Sequence, residues 1–353
     1  MPIQKFTGPE DSGASGFVIV DVAGAESADG QVRCAKKILL DGAWTMARSR
    51  TYAWALLRVA RSGASAALNV EPAHRHRGID AFIDEVKPRV VAGELSLDAG
   101  KGISAVDLAP LFEVDVRSGP HGDRYGHATV ADALNAKSAT VAAATALDGL
   151  TGAKVAIEGA GPAASALGAD LIDLVSEAGA ILIAVGTSTG TLVDQSGLDP
   201  AATAASWREH GDSLPAAHGS ESPPHDVMST PSDVIFCGSK LGLIDHLVAE
   251  TLGAKVVAPI GVAPVTAKGL AVAGRSGTIV LADFLTTSGA LHSFNPGASA
   301  DIAELMALVE RTTTDLTATA LSHADGAYMG SCVMAEEFLS GWVDELPFGR
   351  PLA

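Results

Sequence analysis

A short apolar run, Lys154-Val155-Ala156-Ile157-Glu158, passes directly into Gly159-Ala160-Gly161-Pro162-Ala163-Ala164. The glycine spacing is the G-x-G-x-x-A form of a dinucleotide-binding turn. The first glycine permits a tight bend, the second lets backbone approach a pyrophosphate, and Ala164 lets a helix pack close to the strand. Pro162 in the first helical turn is pre-set for helix, and the neighbouring N–H groups of that turn, Ala163 among them, are left for phosphate. A helix is predicted to about Ala178, followed by a second strand at Ile181-Leu182-Ile183-Ala184-Val185. Strand, turn, helix and strand thus stand in the order a βαβ unit needs. A Gly- and Ala-rich chain also makes such turns for purely structural reasons, and it is the flanking elements that favour a nucleotide. At the end of the second strand, Val185-Gly186-Thr187-Ser188 offers no carboxylate to an adenosine ribose, and the next acid is Asp194. Thr187 and Ser188 can donate to a ribose or a phosphate, and no arginine stands nearby to favour a 2′-phosphate. NAD and NADP therefore both remain open as cofactors.

Further along, Val234-Ile235-Phe236, Val256-Val257-Ala258 and Thr278 to Leu281 are again short, continuous apolar runs. Continuous rather than alternating hydrophobicity means burial on both faces, as in a parallel sheet covered by helices. Ser213 to Ser232, rich in Pro, His, Ser and Asp, is expected to be a long surface loop. Upstream, Phe17–Val22 and Ala66–Val70 read as strands and Ile38–Arg61 as helix, which makes the first part mixed α+β. Ala136–Leu147, nearly all Ala, Thr and Val, is predicted to be a closely packed helix connecting two domains. Ile302, Leu305, Met306 and Val309 recur at helical spacing, so the C-terminal region should be helical and pack back onto the protein. No internal repeat is present.

The 353 residues are 47% hydrophobic and only 5% aromatic, so two cores of small aliphatic side chains are expected. A formal charge of -17 would repel a polyanion before docking, which argues against nucleic acid as a partner. Cys34, Cys237 and Cys332 are far apart and form no C-x-x-C pair, so neither a zinc site nor a disulfide framework is signalled, and a reducing cytoplasm fits. Neither an export signal nor a membrane span is expected. His74-Arg75-His76-Arg77 reads as a solvated loop rather than an anion site.

From about Gly16 to His292 the chain resembles the glutamate/leucine/phenylalanine/valine dehydrogenase superfamily. The segment Thr187-Ser188-Thr189-Gly190-Thr191-Leu192-Val193-Asp194-Gln195-Ser196-Gly197-Leu198-Asp199 carries the likeness most specifically, supported by Lys255–Thr266 and by Asp283-Phe284-Leu285-Thr286-Thr287-Ser288-Gly289. The resemblance implies an α/β protein with an N-terminal α+β substrate and oligomerisation domain over residues 1–147. A Rossmann-like nucleotide domain over 148–296 and C-terminal helices over 297–353 returning to the first domain would follow. It also implies two lysines, one holding a substrate carboxylate and one activating water. Thr51-Tyr52-Ala53 and Ser62-Gly63-Ala64-Ser65 stand in their places, so both lysines are absent. The family's catalytic Asp-x-Gly corresponds to Asp98-Ala99-Gly100, and Val262 and Thr287 occupy the positions of two asparagines on the cofactor side.

Oxidative deamination needs a cation for the carboxylate and an amine of depressed pKa, and Ser65, at the substrate position, can supply neither. What could remain is hydride transfer with one acid/base group. Asp98 is the first candidate, with Lys101 three residues on and facing it if the segment is a helical turn; an exposed ion pair of little consequence is the alternative. Tyr125 and His127, in the polar segment Pro120–His127, are candidate substrate contacts, and no metal site is expected there despite His121, Asp123 and His127. The expectation is an NAD(P)-dependent oxidoreductase acting on a small, non-standard substrate and assembled as a homo-oligomer. A catalytically silent nucleotide-binding relative and a non-redox lyase or isomerase are the alternatives.

Overall fold

The computed structural model describes residues 3–117, 123–126, 128–159, 167–295, 298–347 and 349–353; Gly161, Pro162, Ala163, His121 and His127 lie outside the described residues. The chain divides into two compact units. The first comprises Met1–His121, Phe294–Gly297 and Met334–Pro351, and the second Gly122–Ser293, Ala298–Val333 and Leu352–Ala353.

In the first unit the elements run β1 (Ile3–Thr7), β2 (Ser15–Val20), β3 (Ala28–Ala35), α1 (Leu40–Leu56), β4 (Ser62–Asn69), α2 (Arg75–Val91), β5 (Leu95–Ala99) and α3 (Ala109–Phe112). The five strands form one mixed sheet in the order β1-β2-β4-β3-β5, with β3 parallel to β4 and β5. Alternation along the strands sends Val18, Val32, Ala66, Leu68 and Leu97 to one face. There they meet Ile79, Phe82, Ile83, Val86 and Val90, the apolar stripe of α2. Phe82 is wholly buried and stands edge-on to Phe6 at 5.8 Å, and its burial contributes roughly 1.5–3 kcal/mol. On the other face α1 lays Ala43 and Ala47 over Phe17, Ile19 and Ala67. The approach is so close that a Cβ on Gly63 would stand 1.9 Å from the Ala47 carbonyl oxygen, so only glycine serves there. The basic cluster is not the loop expected. Pro72–His74 is a 3-10 turn and Arg75 opens α2, with Arg75 paired to Asp107 at 2.8 Å. Arg75 and Arg77 find their partners, Asp107 and Asp11, far away in the sequence.

The second unit continues β6 (Arg124–Tyr125), β7 (Ala128–Thr129), α4 (Val130–Leu147), β8 (Lys154–Glu158), α5 (Leu167–Glu177), β9 (Ile181–Gly186), β10 (Thr191–Val193), α6 (Pro200–His210), α7 (Leu214–Ala217) and α8 (Asp226–Ser229). Then come β11 (Ser232–Cys237), α9 (His246–Glu250), β12 (Ala254–Pro259), α10 (Ala267–Arg275), β13 (Ile279–Val280), α11 (Asp283–Thr286) and α12 (Ile302–Leu321), while α13 (Ala327–Ser340) begins in this unit and continues in the first from Met334. Its sheet has the order β10-β9-β8-β11-β12-β13, parallel throughout except for β10. This is the Rossmann-like layer expected from the apolar runs, and its order reverses between β8 and β11.

Within this unit the small residues of α4 let it sit close to its neighbours: a Cβ on Gly289 would meet the Leu134 carbonyl oxygen at 2.0 Å, and Ser138 Oγ donates to the Thr286 carbonyl at 2.5 Å. The stripe on α12 buries Leu305 and Val309 against Val130 and Leu134. Ser213–Ser232 departs from the loop expected. It holds α7 and α8, buries Leu214, Val227 and Met228, and is pinned to β10 by Thr191, whose N–H donates to the Ser222 carbonyl at 3.0 Å. A polar composition concealed three apolar anchors.

Candidate functional site

In an open parallel sheet, ligands bind at the carboxyl ends of the strands where the order reverses. There Glu158 ends β8 and is 9% exposed. Its carboxylate accepts from the N–H groups of Gly238 at 2.9 Å and Ser239 at 3.2 Å, and from the Ser239 hydroxyl, which ties the ends of β8 and β11 together. Gly159 follows with φ +79°, and a Cβ on it would stand 3.0 Å from Ser239 Cβ. The turn thus begins in a left-handed conformation without a side chain, as a tight bend directly after the strand requires. Burial, reinforced by the Glu158 charge, pushes the Cys237 thiol well up, so it is no nucleophile near neutrality.

At the end of β9, Thr187 is buried and Ser188 exposed. Both engage Asp212, from the turn after α6: Thr187 Oγ1 donates to its carbonyl at 2.7 Å and Ser188 Oγ to its carboxylate at 2.9 Å. Asp194, the next acid in sequence, turns instead to Ser196 at 2.6 Å. Val262 is half-buried and precedes Ala263, whose N–H donates to buried Asp283 at 2.9 Å, and Thr287 Oγ1 donates to the Asp283 carbonyl at 2.8 Å. Asp283 therefore braces both the loop of Val262 and that of Thr287. Sequence reading missed Glu158, Asp212 and Asp283 because each acts on a segment distant in the chain.

Tyr125 stands elsewhere. It is 49% exposed and lines a groove of about 340 Å³ with Lys137, Asp173 and Glu177. Asp173 and Glu177 lie in the second half of α5, which runs back toward the amino ends of the strands. The structure does not bring Tyr125 to the strand ends that hold Glu158 and Thr187.

In the first unit, β5 is a strand up to Ala99, so Asp98 and Lys101 do not share a helical turn. Lys101 is exposed, and Asp98 accepts instead from Arg50 Nη2 and Arg117 Nη2, each at 3.0 Å. The same guanidiniums reach Asp29, wholly buried, which also accepts from Trp54 Nε1 at 3.1 Å. Arg117 further pairs with Asp115 at 2.8 Å and lies over the Phe294 ring at 4.6 Å. Burial alone would raise the Asp29 carboxyl, but the Arg50 and Arg117 charges outweigh it and hold the pKa below its ordinary value. Asp98 is thus one carboxylate of a buried charge network.

Ser65 is 1% exposed, and its hydroxyl has no hydrogen-bond partner among the described residues. Ala53 is 4% exposed. Both positions where the resemblance implies lysines are therefore interior. Strand register places Gln31 beside Ser65 on β4 and beside Asp98 on β5, with Arg33 two residues on along the same face of β3. Arg33 Nε and Nη2 are buried without a partner among the described residues, and burial lowers its pKa with no carboxylate opposing the shift.

The family model for glutamate/leucine/phenylalanine/valine dehydrogenases matches residues 128–334, more than half the chain. The chain belongs to that family. A glutamate dehydrogenase from Aeropyrum pernix is 27% identical over 154 residues, a match covering 44% of this chain and 36% of that relative. Among solved structures, the hetero-hexameric glutamate dehydrogenase of Thermus thermophilus in its Leu-bound form superposes with a TM-score of 0.80 at 17% identity, over 97% of this chain and 89% of that one. The glutamate dehydrogenase of Plasmodium falciparum gives a TM-score of 0.75 at 10% identity, over 97% and 84%. At such identities the likeness to these solved structures shows the fold alone.

Proposed function

We propose that this family member is an NAD(P)-dependent oxidoreductase acting on a small carboxylate-bearing substrate other than an ordinary α-amino acid. The arrangement at the strand ends carries the reading: left-handed Gly159 opens the turn, and the hydroxyls of Thr187 and Ser188 stand at the end of β9. These residues fit a dinucleotide, with backbone beside the pyrophosphate and polar side chains toward the adenosine ribose. When bound, the nicotinamide gives or takes the hydride.

In the first unit, Arg33 is the group suited to the substrate's anionic end. Its Nε and Nη2 form the edge that pairs bidentately with a carboxylate, and both are unpartnered among the described residues. Asp98 is fixed by Arg50 and Arg117, whose guanidiniums already occupy its two oxygens, so its place in the reading is to hold those arginines. Ser65 itself supplies no amine to drive water onto an iminium carbon, so the substrates of this reading are not glutamate, leucine or phenylalanine. A homo-oligomer is the proposed assembly, measurable by light scattering.

Calorimetric titration with NADH and NADPH, followed by a screen of 2-oxo acids with absorbance of the reduced cofactor as readout, tests the proposal. Cofactor binding with turnover of a carboxylate-bearing carbonyl compound is expected; absence of binding to both nucleotides at millimolar concentration sinks it. One observation favours a second reading, a catalytically silent nucleotide-binding relative: the engagement of Asp98 by two arginines. Turnover lost in Asp98→Asn with the fold intact would exclude silence.

A further inference from the structure

Ser188 and Asp212 are joined across 24 residues of chain by a 2.9 Å hydrogen bond at the carboxyl end of β9. The attachment is threefold. Thr187 Oγ1 donates to the Asp212 carbonyl at 2.7 Å, Thr189 Oγ1 donates to the same oxygen, and Ser188 Oγ binds Oδ2 of the side chain. Thr187 is only 5% exposed, so the backbone of Asp212 hangs from a buried hydroxyl, while Asp212 itself is half-buried. No hydrogen bond or ion pair engages Oδ1 among the described residues. The nearby cation Arg208 is committed to Asp173 at 2.9 Å, and Thr187–Gly190 and Gly211–Ser213 contain no basic residue.

In a βαβ nucleotide site, the end of the second strand is where an adenosine ribose lies. A carboxylate there accepts from the ribose hydroxyls and repels a 2′-phosphate. β9 ends in hydroxyl residues and lacks such an acid, but these hydroxyls recruit one from the turn after α6. We propose that Asp212 supplies the missing ribose acid and makes the site selective for NAD(H) over NADP(H). The inference rests on the nucleotide-binding reading of the strand ends. A dianionic phosphate beside an uncompensated carboxylate is disfavoured, and the penalty is screened by salt.

The test is calorimetry on the full chain with NADH and NADPH, at low and at high ionic strength, for wild type, Asp212→Asn and Asp212→Ser. In the wild type NADH should bind about tenfold more tightly than NADPH or better, with a gap that narrows at high salt. Asp212→Asn, isosteric and still able to meet Ser188, should bring the two affinities within about threefold, mainly by improving NADPH. The wild-type ratio needs no variant to fold, and thermal melts check that both variants do. Equal or tighter NADPH binding by the wild type, or an unchanged ratio in Asp212→Asn, overturns the inference and leaves the nucleotide-binding reading standing. Failure of both nucleotides to bind overturns the two together.

Discussion

The α1-facing side of β3 and β5 in the first unit and the carboxyl edge of β8 and β9 in the second handle polar groups in opposite ways. In the first, three carboxylates and two guanidiniums satisfy one another: Asp29, Asp98 and Asp115 with Arg50 and Arg117. In the second, hydroxyls, a bare glycine and the carboxylates of Glu158 and Asp212 are held in place by neighbouring turns, with bonding capacity left over at Asp212. A closed charge network fixes structure, because each ion is already paid for by its partner, whereas a braced but unfilled set of donors and acceptors suits a ligand. Within the first unit Arg33 departs from this, with Nε and Nη2 buried and unpartnered among the described residues, as Arg61 Nη1 and Ser65 Oγ also are.

The contrast breaks most sharply at Asp29. Its replacement by Ala leaves Arg50 and Arg117 buried beside a void, and a loss of about 3–5 kcal/mol in denaturant-induced unfolding is expected. A loss below about 1 kcal/mol would mean that the network is slack. Because the folded pKa of Asp29 is depressed, its stabilisation is present above the unfolded value near 3.9 and fades as pH falls through the folded value. Acid titration of wild type should show that decline, and Asp29→Asn should remove it.

His292 offers a test of the second unit's interior. Burial lowers its pKa to about 4 from 6.5. Between those values the unfolded chain binds a proton that the folded one does not, so stability rises with pH across that window, by roughly 3 kcal/mol in all. Unfolding measured at pH 5 and pH 7 should differ in wild type and much less in His292→Phe; equal slopes would place the imidazole in water.

Gly159→Ala should cost roughly 1–2 kcal/mol, from the left-handed backbone at φ +79° and the crowding against Ser239, and should weaken NADH binding. Unchanged binding would separate the turn from the cofactor. The smallest stability effect belongs to Arg33→Met. Removing a guanidinium that has no counter-ion among the described residues should leave stability within about 1 kcal/mol or raise it, while abolishing binding of a 2-oxo acid measured by calorimetry. A large destabilisation would show that Arg33 is a structural residue and not a ligand group.

Much of the second unit was legible because its signals are local. Apolar runs mark β8, β9, β11 and β12, and glycine spacing marks the turn at Gly159, since continuous burial and left-handed backbone each restrict which residues can stand at a position. The stripe on α12 was readable for the same reason. That Ala53 and Ser65 carry no amine was legible too, because side-chain chemistry at a position is a fact of sequence. Hidden from it were the partners. Lys101 looked close to Asp98 only on the assumption of a helical turn, and β5 instead delivers Asp98 to arginines from α1 and from beyond α3. The acid sought at the end of β9 came from Asp212, and the polar stretch after it proved anchored by Leu214, Val227 and Met228. Sequence by itself determined the elements, the class of fold and which chemical groups the chain lacks, since these follow from residue types at short spacing. Which charges meet, and which are left without a partner, was decided by the tertiary structure alone, because electrostatic pairing depends on distance in space and not on distance along the chain.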